Sequence, residues 1–165
     1  MMPDLIRVTL AGEALTRLSP LLEADRAQAV ADLLADNHFR PTARVPTGRV
    51  PTARAVPPLV LRLSIQEGRL VFDIRDQGET PLIAHALALG PFRRLIRDYE
   101  MLVDSYATAI AEGREARIQA IDMGRRGLHN EGAELLRQRL AAHIELDLET
   151  ARRLFTLVCV LHTRL

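Results

Sequence analysis

The sequence predicts an α+β protein in which a small antiparallel sheet of about four strands packs against a helical C-terminal half. Residues 59–75 alternate apolar and polar side chains with the period of β-strands, whereas residues 91–110 place apolar side chains at helical spacing. The chain has 165 residues, of which 48% are hydrophobic. That size and composition predict a single domain, 1–165, with a core of its own.

The N-terminal third predicts one strand and one helix. Residues 5–10 form a short segment that is rich in β-branched side chains, which is typical of a strand. Ser19 is a good N-cap and Pro20 suits the first helical position, so a helix is expected from there to about Asp36.

An internal repeat occupies residues 41–55, which read P-T-A-R-V, P-T-G-R-V and P-T-A-R-A. Proline at every fifth position forbids a helix or a central strand, and the repeat offers no bulky side chain to bury. We expect a mobile, extended loop inserted in the domain. We interpret the repeat as a duplication that a surface loop tolerates. The less favoured alternative is that it is a basic arm that binds an acidic partner.

Three strands are expected after the repeat. The alternation over 59–66 and 70–75 flanks the turn Glu67-Gly68 and predicts a hairpin. Residues 82–89 are interpreted as a further strand, although their run of Leu and Ala also suits a helix.

The C-terminal half predicts helices throughout. A long helix is expected from Gly90-Pro91 to Gly113, followed by a shorter one that carries Ile118 and Ile121. Three glycines within 123–132 are expected to weaken or bend any helix there, with helix renewed at 135–140. The last helix, capped by Asp147, is so apolar that it should be the central core element.

Composition excludes several classes of chemistry. All 22 basic residues are arginine, so a lysine Schiff base and a lysine-bearing phosphate loop are both impossible. Cys159 is the single cysteine and lies in an apolar stretch, which indicates a buried thiol in a reducing compartment. No signal peptide or membrane segment is recognisable, and we expect a cytoplasmic protein. No pattern indicates a cofactor.

Net charge is +1 but unevenly placed. Four arginines lie within 40–54, and without them 18 basic residues face 21 acidic ones, so the rest of the chain is near −3. Aromatic residues make up only 4%. Nucleic-acid binding is therefore poorly supported, though not excluded.

Residues 122–131 are the most plausible site. Arg125, Arg126 and Asn130 are candidates for anion binding, since guanidinium groups pair well with phosphate or carboxylate. His129 and Glu131 are candidate catalytic residues that would act as acid and base. A metal site is not expected, because positions 129 and 131 of a continuous helix point to opposite sides.

Ordinary ion pairs explain the same arginines slightly better than a binding site does. Asp122 reaches positions 125 and 126 along a helix, and Glu149 reaches Arg152 and Arg153 in the same way. Arg93 and Arg94 also have acidic neighbours within helical reach. A shared anion pocket requires these three arginine pairs to converge in space.

Four stretches carry a resemblance to a known family: RLVFDIR (69–75), PFRRLIRDYEMLVDSYATAI (91–110), AIDMGRRGLHNEGAELL (120–136) and TARRLFTLVCVLH (150–162). They closely resemble a family of uncharacterised proteins known chiefly from alphaproteobacteria. The resemblance covers nearly the whole chain and implies a cytoplasmic bacterial protein. It implies no activity, cofactor or catalytic residue.

Three functions follow as hypotheses. The first is a non-enzymatic binding or regulatory module that recognises an anionic small molecule or an acidic protein partner through arginines of the C-terminal half. The second is a hydrolase or transferase that uses His129 and Glu131, with or without a metal. The third is an RNA-associated protein. A concavity lined by the arginine pairs favours the first.

Overall fold

A four-stranded sheet forms one layer of the fold in this computed structural model, which describes residues 3–11, 19–42, 44–47, 50–54 and 56–163. Its strands are β1 (Leu5–Leu10), β5 (Leu59–Gln66), β6 (Arg69–Arg75) and β7 (Pro81–Ala88), in the order β1-β5-β6-β7. The strand expected at 82–89 is confirmed.

The predicted α+β class is confirmed, but the sheet is mixed rather than wholly antiparallel. Strands β5, β6 and β7 form the expected antiparallel meander, whereas β1 pairs with β5 in parallel. The chain between β1 and β5 contains a helix and further strands, and a long crossover of this kind is what a parallel pair requires.

Four helices form the second layer: α1 (Pro20–Ala35), α2 (Arg93–Glu112), α3 (Glu115–Leu140) and α4 (Leu148–Thr163). A 3-10 turn, Gly90–Phe92, leads into α2. The predicted caps are confirmed, since Ser19 Oγ accepts from Leu22 N at 3.3 Å and Asp147 Oδ1 accepts from Thr150 N at 2.8 Å. No helix in the described ranges combines the length and the apolar composition needed to cross a membrane.

The interruption expected at 123–132, between a shorter helix and a renewed one at 135–140, is absent, because α3 is continuous over 26 residues. Gly132 supplies the physical reason. A Cβ built there would lie 2.4 Å from the ring of Phe155 on α4, so this glycine allows α3 and α4 to cross closely. The packing gained at the crossing outweighs the roughly 1 kcal/mol by which a glycine weakens a helix.

Helix α4 is the centre of the core, as predicted. Between Thr150 and Leu161 only Arg152 and Arg153 are not buried. The sheet and the other helices all pack on it, because α4 contacts the other three helices and β5.

Two short pairings complete the fold. Strands β2 (Phe39–Pro41) and β8 (Ile144–Leu146) pair antiparallel and join the chain after α1 to the chain before α4. The repeat lies partly outside the described residues, which omit 43, 48, 49 and 55. Within it, the backbones of β3 (Arg44–Thr47) and β4 (Val50–Arg54) pair as an antiparallel ribbon. The mobility expected for the loop stays a prediction.

Candidate functional site

A polar cavity of about 210 Å³ opens between α1 and α4 and has part of α3 beside it. We call it the α1–α4 cleft. One face of each helix supplies its lining, because residues spaced by three, four and seven positions lie on the same side of a helix. The lining residues are Asp25, Gln28, Ala29 and Asp32 of α1, His129 of α3, and Glu149, Arg152, Arg153 and Thr156 of α4.

His129 is an uncharged hydrogen-bonding group in this cleft. Its Nε2 lies 3.4 Å from Thr156 Oγ1, and its ring lies 5.4 Å from the ring of Tyr99, centroid to centroid. Burial lowers the pKa of His129 to about 4, with the charges of Arg125 and Arg152 acting in the same direction. The imidazole is therefore neutral at pH 7.

Asp25 anchors a network behind the cleft. Its Oδ2 accepts a hydrogen bond from the hydroxyl of Tyr99 on α2 and lies 3.4 Å from Nη1 of Arg125 on α3. Burial, and then the Asp25 charge, raise the pKa of Tyr99, so the phenol stays protonated and donates. Arg125 also pairs with Asp122 at 3.3 Å, the helical ion pair that the sequence predicted.

Arg152 and Arg153 extend from α4 into the cleft. Arg152 Nη1 lies 3.2 Å from Glu149 Oε1, and Arg153 lies 3.5 Å from Glu149 Oε2 and 3.7 Å from Asp32 Oδ2. The predicted pairing with Glu149 is confirmed. Within the part of the chain that the structure describes, Arg152 Nε is buried without a hydrogen-bond partner. A buried donor left in this way costs about 1–3 kcal/mol.

The predicted acid–base pair is not assembled. Glu131 pairs with Arg94 of α2, 2.5 Å from its Nη2, whereas His129 faces α4. Arg94 also pairs with Asp98, as helical spacing predicted. Since α3 is continuous, positions 129 and 131 cannot turn to a common substrate.

The remaining candidate residues lie away from the cleft. Arg93, Arg126 and Asn130 are exposed, and none of them lines it. Of the three arginine pairs, then, only Arg152 and Arg153 converge on the cavity, with Arg125 behind Asp25. Within the described ranges, no three His, Cys, Asp or Glu side chains are grouped so that they could hold a metal ion.

Several lining residues were missed at the level of sequence. Asp25, Gln28 and Asp32 recur at helical spacing, a pattern that is equally typical of a solvated helix face. Thr156 lies within the most apolar helix and carries no signal of its own. The spacing of these polar residues could have suggested that α1 has one polar face. It could not have suggested that this face packs beside α4.

A larger groove of about 470 Å³ is mainly apolar. It lies between the start of α1 and the middle of α2, and its lining includes Leu21, Val103, Tyr106 and Ile110. Its ionisable side chains are the carboxylates Glu100 and Asp104 together with the phenol of Tyr106. An anion is therefore better matched by the α1–α4 cleft.

The model of the Uncharacterised protein family (UPF0262) matches residues 2–164 of this small α+β protein. The chain belongs to this family. It is 68% identical over 161 residues to a UPF0262 protein of Granulibacter bethesdensis, which covers 98% of this chain and 90% of the relative. It is 60% identical over 150 residues to one of Acidiphilium cryptum, covering 89% and 85%. No solved structure matches the chain significantly.

Proposed function

We propose that this protein is a non-enzymatic binding or regulatory module that recognises a small anionic molecule in the α1–α4 cleft. The observation that carries the proposal is the convergence of Arg152 and Arg153 on one recessed cavity of about 210 Å³. Guanidinium groups bind carboxylate and phosphate through charge-assisted hydrogen bonds.

Uncharged hydrogen-bonding groups support the same function. Gln28, His129 and Thr156 stand around the cavity beside the arginines. Pockets for small molecules commonly combine a few polar groups of this kind with apolar surface, so that the polar groups fix the orientation of the ligand.

The size of the cavity favours a small molecule over an acidic protein partner. A protein interface typically involves about 20–30 residues on each side, whereas nine residues line this recess. Catalysis by His129 and Glu131 is less well supported, because Glu131 pairs with Arg94. The buried Cys159 thiol suits a reducing compartment, and we place the protein in the cytoplasm.

A ligand panel tests the proposal. Thermal shift and isothermal titration calorimetry are run with phosphate, acetate, propionate, succinate and sugar phosphates. An anion present at 100 times its dissociation constant should stabilise the protein by about 2.7 kcal/mol. Arg153→Gln should remove this stabilisation when each variant is compared with its own ligand-free state.

Arg126→Gln is the matched control, because Arg126 is exposed on α3 and lies outside the cleft. It should bind each anion as the unmodified protein does. Equal loss of binding in both variants would mean that the arginines act only through overall charge. Failure of every ligand that carries a carboxylate or phosphate group, zwitterionic amino acids included, to bind the unmodified protein would overturn the proposal.

A further inference from the structure

The two long walls of the α1–α4 cleft carry opposite charges. Arg152 and Arg153 stand on the α4 wall together with Glu149, which leaves that wall net positive, and Asp25 and Asp32 stand on the α1 wall. Building on the proposed function, we infer that the ligand is a small amino-acid-like zwitterion, with one carboxylate and one ammonium group. The carboxylate lies against Arg153, and the ammonium lies against Asp32.

Charge balance is the first argument. The lining carries two arginines, three carboxylates (Asp25, Asp32 and Glu149) and the uncharged His129. Arg125 does not line the cleft but pairs with Asp25. When its charge is included, the three arginines balance the three carboxylates and the net charge is zero. A zwitterion leaves this balance unchanged, so its carboxylate can bind Arg153 without adding net negative charge to a partly desolvated site.

The two ion pairs of Arg153, one across the cleft to Asp32 and one along α4 to Glu149, are open enough to exchange. Arg153 lies 3.7 Å from Asp32 and 3.5 Å from Glu149, whereas a charge-assisted hydrogen bond between such groups is about 2.7–2.9 Å. A ligand carboxylate can form shorter bonds to Arg153, and a ligand ammonium can take its place beside Asp32. Each protein charge thus keeps an opposite partner.

Gln28 prepares Asp32 for this role. Its Nε2 donates to Asp32 Oδ1 at 2.9 Å, which fixes the carboxylate and leaves Oδ2 directed to Arg153. An ammonium group has three donors and no acceptor, so it fits a carboxylate that already holds one amide. His129, neutral at pH 7, adds no competing positive charge.

The volume limits the size of the zwitterion. About 210 Å³ corresponds to the space of about seven liquid water molecules. This space accommodates an amino acid with a small side chain. Glycine, L-alanine, β-alanine and γ-aminobutyrate span the possible separations of the two charges.

Calorimetry with matched analogues tests the inference. Propionate is L-alanine without its ammonium group, and ethylamine is L-alanine without its carboxylate. At least one of the four zwitterions should bind the unmodified protein at least tenfold more tightly than both analogues. If propionate or phosphate binds as tightly as every zwitterion, and Arg153→Gln removes that binding, the zwitterion inference is overturned and the proposed function stands.

Substitution in the α1 wall gives the second readout. Asp32→Asn should weaken the best zwitterion at least tenfold, about 1.4 kcal/mol, and leave propionate unchanged or bound more tightly. Arg153→Gln should weaken both. Glu134→Gln, an exposed acid of α3 outside the cleft, is the matched control and should change neither. Absence of binding by any zwitterion or anion would overturn the inference and the proposed function together.

Discussion

Burial sets the chemistry of the individual ionisable residues, and His129 has the clearest consequence. Its pKa is about 4 in the folded protein and near 6.5 in the unfolded chain. Between these values the unfolded chain binds a proton that the folded protein does not. The stability contributed by neutral His129 is therefore complete above about pH 6.5 and is lost as the pH falls toward 4.

The pH dependence of unfolding tests this assignment. Between pH 7.5 and pH 5.0 the unmodified protein should lose about 2 kcal/mol more stability than His129→Gln, because the variant lacks the proton uptake on unfolding. Urea denaturation of both proteins at the two pH values measures the difference. The other titrating groups are the same in both proteins, so their contributions cancel in this difference. Equal losses would show that His129 titrates normally.

Cys159 is fully buried in α4, and burial raises the pKa of its thiol. Its reaction with a thiol reagent must wait for the structure to open. Labelling of the folded protein should be more than a thousandfold slower than labelling in urea, since a typical domain opens globally at a cost of about 5 kcal/mol or more. The rate of colour release from a disulfide reagent measures this. Labelling of the folded protein within a factor of ten of the unfolded rate would contradict the position of Cys159.

At the scale of elements, two glycines of α3 allow a matched comparison. Gly132→Ala should destabilise the protein by about 1–3 kcal/mol, because the added Cβ meets the Phe155 ring at 2.4 Å. Gly127→Ala should stabilise it by about 0.5–1 kcal/mol, since nothing lies within 4 Å of a Cβ there. Urea unfolding of both variants measures the changes. The same sign for both would mean that α3 and α4 do not cross as described.

The repeat should contribute little to stability. Replacement of residues 43–55 by a shorter Gly/Ser linker is expected to change the free energy of unfolding by less than about 1 kcal/mol, because the entropy of loop closure depends weakly on length. The replacement leaves β2 and its pairing with β8 in place. A melting temperature that falls by 10 °C or more would show that the repeat packs on the rest of the domain.

Helices and strands with a strong hydrophobic periodicity were predictable from the sequence, whereas the way they pack and pair was less predictable. The alternation in β5 and β6 and the stripe of α2 specify which face is buried, so their type and extent followed directly. The continuity of α3 could not be predicted, because helix propensity treats every glycine as destabilising. At Gly132 the missing side chain instead makes room for the Phe155 ring of α4. The parallel pairing of β1 with β5 likewise depends on a partner more than 40 residues away.

At the scale of the whole molecule, the site was only half predictable. Arg152, Arg153 and His129 stood out as polar residues in apolar or glycine-rich surroundings. Their common cavity arises because α1 lies against α4, and nothing in the α1 sequence specifies that neighbour. Separately, the packing of α2 against α3 pairs Glu131 with Arg94, which separates Glu131 from His129.

The central claim is that the α1–α4 cleft is the binding site, and mapping by nuclear magnetic resonance tests it most directly. The ¹⁵N-labelled protein is titrated with phosphate, propionate and L-alanine, first unmodified and then as Arg153→Gln and Arg126→Gln. Shift changes should cluster at residues 25–32 and 149–156 and at the His129 imidazole, vanish in Arg153→Gln and persist in Arg126→Gln. Changes centred on the apolar groove or on the exposed Arg93 and Arg126 surface, or no saturable change with any of the three, would contradict it.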